Sequence, residues 1–481
     1  MRRTEEASRR LLRVALERTG LTTADLWLRA FALGATVAPE DLDAFLRGER
    51  ALGPVEHDLV AHAINARLDE IHWRQRIPFT RPVREPHPEA GPLAAIVALL
   101  RGAYLAPPDA IPRVLDTAAE ALGVRVVLYL VDYALLELVP FPGAHGADRT
   151  PLGLESTMPG RAFRMMSTQS AINDGQARMW VPVLDGLERL GVLDVLVDDV
   201  RDLHDPSLRE QLRWTAHVVG HLVTGMGGHG DAVDAVRRSQ PRTVAAELVW
   251  QLLPPPDVAT DKVLVSARLE PSNAVGGDVF DIALSDHAAH LAIIDATGHD
   301  LGAGLVSATA LAAYRNARRE GHTLFEQADA IHRTILDQFG GSTFATGVVA
   351  RLDLETGRLR YVAAGHPYPL VLRGGHVVKT LREGRRALFG LDTSHVSVGE
   401  ESLEPGDTVV LYTDGITEAR DRDGAAFGLR GLVDFLEREA EIDTALPEVV
   451  RRLCRSILRR QDEVLQDDCT VLLARWTPHA S

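Results

Sequence analysis

The chain has 481 residues, and its contents of 46% hydrophobic and 25% charged residues are typical of a soluble globular protein. The formal net charge of −15 argues against non-specific binding to nucleic acids or anionic membranes, because both require a basic surface. The two cysteines exclude a disulfide framework and a thiolate zinc site, and in the absence of a signal peptide or a membrane-spanning apolar run they predict a cytoplasmic protein.

The first part of the chain, residues 1–76, is predicted to be an all-helical module. Its apolar residues recur at helical spacing, and three of the stretches end at glycines, which favour the end of a helix. The predicted helices cover residues 9–20, 22–34, 39–47 and 54–71. Prolines at five positions from 78 to 92 then indicate a stiff linker.

The next segment, residues 93–230, mixes helices with strands. Strands are predicted at 124–132 and 135–141, a strand pair at 178–197, and a long closing helix at about 207–226. This layout resembles a GAF domain, most clearly in "VPVLDGLERLGVLDV". The resemblance implies an α/β sensor domain for a small molecule, but no cluster of ligand-type residues indicates which one.

Residues 237–256 are predicted to form a signalling helix that ends at three successive prolines. Val244, Leu248 and Leu252 form a narrow apolar stripe that suits one partner surface. That partner is either the domain that follows or the same helix in a second subunit, which would make the protein a homodimer. The alternative is that this helix is only a passive spacer.

The strand-rich remainder, residues 257–476, carries carboxylates where apolar strands begin or end. One such aspartate would be interpreted as a helix cap, but several converging carboxylates repel one another unless a cation is present. Hard oxygen ligands without cysteine favour Mg2+ or Mn2+, and two such ions can activate a water and neutralise a phosphoryl oxygen. The residues are Asp278, Asp295, Asp414 and the adjacent Asp467 and Asp468.

Six ordered motifs make residues 245–476 resemble the SpoIIE-like branch of the PPM-type protein phosphatases. They are "AAELVWQLLPP", "VGGDVFD", "IIDATGHDLGAGLVSA", "FATGVVARLDLETGRLRYVAAGHPYPLVL", "LYTDGITEARD" and "DDCTVLLAR". The resemblance implies a C-terminal αββα sandwich with two Mn2+ or Mg2+ ions at one edge. The whole chain is then a multidomain α+β protein with an all-helical N-terminal module and a central GAF-like domain.

The same resemblance assigns roles to individual residues. The implied metal ligands are Asp278, Asp295 as the bridging ligand, the backbone carbonyl of Ala296, Asp414 and Asp467, with Asp468 behind them. Asp295 and His299 are the catalytic candidates, and His299 acts either as a general acid or only as a hydrogen-bond donor in its turn. Asp300 and Phe280 stand where the family commonly has Gly and Tyr, and both are expected to affect substrate access. His366, in a proline-bounded turn, is predicted to be structural.

The family resemblance implies a metal-dependent protein serine/threonine phosphatase that uses water directly and forms no covalent enzyme intermediate. The substrate it implies is a phosphorylated anti-sigma-factor antagonist of the STAS type, with the GAF-like domain as regulator. Two alternatives stay open: a non-catalytic binding module with a PPM-like fold, and a phosphatase of a small phosphorylated metabolite.

Overall fold

The structure is a computed structural model that describes residues 12–70, 93–145, 148–173, 175–239, 242–270, 276–298, 301–391 and 396–478. The chain divides into two compact units, Met1–Gly91 and Pro92–Ser481. Across the described ranges, no helix combines the length and the apolar character needed to cross a membrane.

In the first unit, the described secondary structure is helical. The helices are α1 (12–19), α2 (Thr23–Ala32), α3 (Pro39–Arg47) and α4 (Pro54–Glu70). Thr22 and Asp25 form a capping box at the start of α2, and α3 has Pro39 at its first position and ends at Gly48 with φ of 86°. The apolar stripes of these helices meet in one small core.

The second unit begins with an antiparallel six-stranded sheet, sheet 1, in the order β3-β2-β1-β6-β5-β4. Helices α5, α6 and α8 supply side chains to the core on one face, and α7 packs on the other. The elements are α5 (Ala94–Ala103), α6 (Ile111–Ala121), β1 (Arg125–Val131), β2 (Glu137–Phe141), β3 (Leu152–Gly153), α7 (Met158–Met165), β4 (Gln169–Asn173), β5 (Gln176–Asp185), β6 (Glu188–Val197) and α8 (Pro206–Gly227). This part of the chain corresponds to the segment predicted to be a sensor and is called the sensor domain below for reference, and its sensing role stays a prediction.

Two short helices, α9 (Ala232–Arg237) and α10 (Val244–Leu252), follow the sensor domain. Val249 on α10 is 4% exposed and lies in a core cluster that Ala246 and Leu252 flank. Val244, by contrast, is 81% exposed. The predicted stripe is therefore wrong at Val244, because the packed face is centred on Val249, three residues before Leu252. This core cluster belongs to the domain that follows.

The remaining elements are groups of strands separated by groups of helices. They are β7 (Asp257–Ala259), β8 (Val263–Glu270), β9 (Asp278–Leu284), β10 (Ala288–Ala296), α11 (Leu301–Arg319), α12 (Leu324–Phe339), β11 (Ala345–Asp353), β12 (Arg358–Ala364), β13 (Leu370–Arg373), β14 (His376–Thr380), β15 (Arg385–Arg386), β16 (Gly399–Ser402), β17 (Thr408–Tyr412), α13 (Asp414–Thr417), α14 (Gly428–Glu441), α15 (Leu446–Arg460) and β18 (Cys469–Trp476).

These strands form two stacked sheets with helices outside them. Sheet 2 has the order β15-β12-β11-β10-β9, with β16 also paired to β12, and sheet 3 has the order β14-β13-β17-β18-β8-β7. Apolar side chains from both sheets share one core. The outer face of sheet 2 packs against α10, α11 and α12, and that of sheet 3 against α13, α14 and α15. The predicted αββα sandwich is thus observed.

Candidate metal centre

Two of the predicted ligands lie side by side at one edge of sheet 2. In the register of this sheet, Asp278 is opposite Asp295, and Asp295 is opposite Thr346. Residues that oppose each other in antiparallel strands point to the same face. Ile293 and Leu291, two and four residues before Asp295, belong to the core between the sheets, and side chains alternate along a strand. Asp295 therefore projects from the inner face of sheet 2.

Asp278 is fixed by hydroxyl groups from the opposite sheet. Its Oδ2 atom accepts hydrogen bonds from Thr413 Oγ1 at 2.9 Å and from Thr470 Oγ1 at 2.6 Å. Its backbone N–H donates to Asp468 Oδ2 at 3.3 Å. Asp278 is only 2% exposed, so these contacts hold its carboxylate in one orientation across the gap between the sheets.

Sheet 3 brings the other carboxylates to the same edge. β17 ends at Tyr412, β18 begins directly after Asp468, and Tyr412 pairs with Val471. The end of β17 and the start of β18 are therefore neighbours, which places Asp414 next to Asp467 and Asp468. Asp468 is buried, whereas Asp467 is exposed.

The carboxylates of this cluster raise one another's pKa. Burial first, and then the charges of Asp414 and Asp467, raise the pKa of Asp295 to about 7. Burial and the carboxylate of Asp295 raise the pKa of Asp278 well above its usual range. Burial and Asp467 likewise raise the pKa of Asp414. Within the described residues, no Lys or Arg forms an ion pair with any of these three groups to offset the repulsion.

Glycines allow the backbone to pack closely around these acids. A Cβ atom at Gly276 would lie 1.0 Å from Asp468 Oδ2, and one at Gly277 would lie 2.1 Å from the carbonyl oxygen of Ala296. The crowded, all-oxygen donor set suits a hard divalent cation. Nevertheless, in the described ranges no group of three or more His, Cys, Asp or Glu side chains is already arranged to hold a metal ion.

Of the other residues named in the sequence analysis, some are described by the structure and some are not. The backbone N–H of Ala296 donates to the carbonyl of Gly277 at 3.0 Å, at the end of β10. His299 and Asp300 lie outside the described residues, so the predicted role of His299 stays a prediction. Phe280 is 3% exposed in the core between the sheets. Its side chain is therefore part of the packing between the sheets, and its expected effect on substrate access stays a prediction.

Sequence reasoning missed the threonines of this edge. Thr413 and Thr470 directly contact Asp278, and Thr346 lies opposite Asp295. The available signal was the position of Thr413 beside Asp414 within a motif, since a hydroxyl next to a ligand is well placed to orient another. Neither contact could be assigned without knowing that the two sheets stack.

Comparison with known proteins finds relatives that are similar to the strand-rich part of the chain. Residues 285–477 match the family model described as "Stage II sporulation protein E (SpoIIE)". Phosphoserine phosphatase RsbU of Bacillus subtilis (strain 168) is 24% identical over 286 residues, which cover 56% of this chain and 82% of RsbU.

Solved structures with similar parts include the RsbU and RsbW domains of Rv1364c from Mycobacterium tuberculosis, with 29% identity and a TM-score of 0.39. That match covers 45% of this chain and 62% of the other, so this chain spans less than two thirds of it. Another is the PP2C phosphatase domain of SpoIIE from Bacillus subtilis with a fragment of its regulatory domain. It has 20% identity and a TM-score of 0.38, covering 46% of this chain and 64% of that one.

Proposed function

We propose, from the premise that the chain carries a SpoIIE-type PPM phosphatase domain, that it is a metal-dependent protein serine/threonine phosphatase. The observation that carries this proposal is the carboxylate cluster at the edge of the sandwich. Asp278, Asp295 and Asp414 crowd together with raised pKa values and no cationic partner among the described residues. Such a cluster is stabilised when it binds divalent cations.

The ligand assignment follows the positions of these side chains. Two Mn2+ or Mg2+ ions would be held by Asp278, Asp295, Asp414, Asp467 and the carbonyl of Ala296, with Asp468 behind them. When bound, such ions activate water as the nucleophile and neutralise charge on a phosphoryl oxygen. The protein itself supplies orientation, because two threonine hydroxyls donate to Oδ2 of Asp278 and fix its carboxylate.

The substrate we infer is a phosphorylated anti-sigma-factor antagonist of the STAS type, in the reduced cytoplasm. Similarity to RsbU, a phosphoserine phosphatase, supports phosphoserine or phosphothreonine as the group that is hydrolysed. Asp467 is exposed, so the carboxylate edge is reachable from solvent. A small phosphorylated metabolite is the competing substrate. A non-catalytic PPM-fold module is disfavoured because every described ligand is retained.

Regulation by the GAF-like sensor domain is supported by a buried ion-pair network between the two domains. Arg189 of β6 bonds to Glu448 at the start of α15, with 2.9 Å between Nη1 and Oε2. Arg451 of α15 in turn bonds to Glu155 of the sensor domain at 2.7 Å. A cavity of about 400 Å³ lies beside this network, with Trp250 of α10 in its wall. These ion pairs connect the sensor domain directly to α15, and through them a change in the sensor domain would reach the phosphatase domain.

The test is hydrolysis of phosphorylated STAS-type proteins by the full chain, with and without Mn2+ or Mg2+. Asp414→Asn should lower turnover by roughly 10²-fold or more, because a ligand charge is lost, while Asp423→Asn on an exposed loop should not. EDTA should abolish the activity, and Zn2+ should not restore it where Mn2+ does. Near-normal turnover in Asp414→Asn would contradict the ligand assignment, and hydrolysis of small phosphate esters alone would favour the metabolite alternative.

A further inference from the structure

His366 connects the strand next to Asp295 with the strand that leads to Asp414. It lies in the turn after β12 and is 6% exposed. Its Nδ1 atom is 2.7 Å from Thr346 Oγ1. Its Nε2 atom is buried without a hydrogen-bond partner among the described residues, and the backbone of Tyr412 is a further polar neighbour of the ring. The imidazole therefore spans the gap between sheet 2 and sheet 3.

These neighbours determine which atom donates to which. Burial lowers the pKa of His366 to about 3, so the imidazole is neutral and carries one N–H group. The backbone carbonyl of Tyr412 raises the pKa of the ring as an acceptor, and because Nδ1 already faces Thr346, we assign this hydrogen to Nε2. Nδ1 is then an acceptor, and the Thr346 hydroxyl donates its hydrogen to His366.

The direction of this hydroxyl matters because Thr346 is directly opposite Asp295 in the register of sheet 2. Opposed residues have Cβ atoms about 4.5–5.5 Å apart, within reach of a hydroxyl-to-carboxylate hydrogen bond. In the structure, however, the hydroxyl bonds to His366. Asp278 shows the opposite arrangement, since two threonine hydroxyls donate to its Oδ2 atom.

We propose that His366 is a positioning residue that draws the Thr346 hydroxyl away from Asp295, so that the hydroxyl does not compete with the divalent cations that the Asp295 carboxylate would hold. This inference rests on the proposed function, and it assigns His366 a role beyond the purely structural one that the sequence suggested. A hydroxyl that donated to Asp295 would occupy a lone pair that the bridging ligand needs. Asp278, which serves one cation, tolerates such donors on one oxygen.

The experiment measures Mn2+ binding to the full-length protein by isothermal titration calorimetry, with thermal unfolding as the check of folding. His366→Leu should weaken Mn2+ binding about 10-fold or more, the usual effect of losing a group that orients a ligand. Thr346→Val should change the affinity by less than about threefold, because the competing hydroxyl is removed rather than released. The double variant should regain the affinity of Thr346→Val.

The double variant separates positioning from general structural support. If it binds Mn2+ as weakly as His366→Leu, His366 acts only through packing and the inference is wrong. Unchanged binding in His366→Leu, or an equal loss in Thr346→Val, also overturns it.

His366→Asn provides a second test should His366→Leu not fold, because its amide oxygen can still accept the hydroxyl hydrogen. It should bind Mn2+ nearly as well as the wild type, and a loss of about 10-fold or more would refute the role as an acceptor. A wild-type protein that binds no Mn2+ at all would instead refute the metal centre and the proposed function, and this inference with them.

Discussion

In the buried ion pair between the sensor domain and α15, we predict that replacing the acid destabilises the fold more than replacing the arginine. The side chains of Arg189 and Glu448 are 2% and 3% exposed. Burial alone would raise the pKa of Glu448, but Arg451 and Arg189 together hold it below its usual range. Glu448→Gln leaves Arg189 buried without its hydrogen-bonded carboxylate, which costs about 3–5 kcal/mol of folding free energy.

The reverse substitution should cost less. In Arg189→Met, Glu448 keeps its bond to Arg451 at 2.8 Å, and the lost contact is a charged hydrogen bond worth about 1.5–3 kcal/mol. We therefore expect Glu448→Gln to lower the thermal unfolding midpoint clearly more than Arg189→Met does. Arg201→Met removes an ion pair in which Arg201 is 90% exposed, and it should cause no measurable loss. Equal losses in the two buried variants, or losses no larger than in this control, would refute the reasoning.

Three further outcomes are expected. Val249→Glu should disrupt the packing of α10 and change phosphatase activity, whereas Val244→Glu on the same helix, at an 81% exposed position, should leave activity and stability unchanged. Gly277→Ala places a Cβ atom 2.1 Å from the carbonyl of Ala296 and should reduce Mn2+ binding in a calorimetric titration, whereas Gly225→Ala, with open space around it, should not. Burial, followed by the charge of a nearby arginine, lowers the pKa of His290 to about 4. The unfolded chain takes up this proton near pH 6.5 and the folded chain does not, so the contribution of His290 to stability is lost between about pH 6.5 and pH 4. Denaturant titrations of the wild type and of His290→Leu should therefore diverge over this range, with the variant losing less stability on acidification.

The positions of the aspartates could be predicted because the sequence marks where buried strands begin and end. Asp295 closes an apolar run, and Asp414 follows another, so their placement at the rim of a sheet needs only local pattern. Local pattern cannot predict which residues of the other sheet contact these aspartates. Thr470 lies 192 residues from Asp278 in the chain, and only the stacking of sheet 2 on sheet 3 brings their side chains together.

The helix between the domains shows a different limit of sequence reasoning. Both Val244 and Val249 are apolar and at helical spacing from other apolar residues, so hydrophobic periodicity alone cannot decide which face is packed. The decision comes from the tertiary surroundings, where Val249 enters the core outside sheet 2 and Val244 faces away from it. The sequence predicted the existence of the helix and a partner surface, but it included Val244 in the packed face, whereas the structure centres that face on Val249.

The position of α15 suits the proposed regulation, because this helix lies between the buried ion pair with the sensor domain and the carboxylate edge. The helix has 15 residues and is therefore about 22 Å long. Its first turn holds Glu448 in the buried ion-pair network, and the loop after its last turn leads to Asp467. A packed helix moves as a nearly rigid body, because its close-packed core resists local deformation. On the proposed regulation, a shift of Arg189 would therefore move Asp467 through α15, with no direct contact between Arg189 and the proposed metal ligands needed.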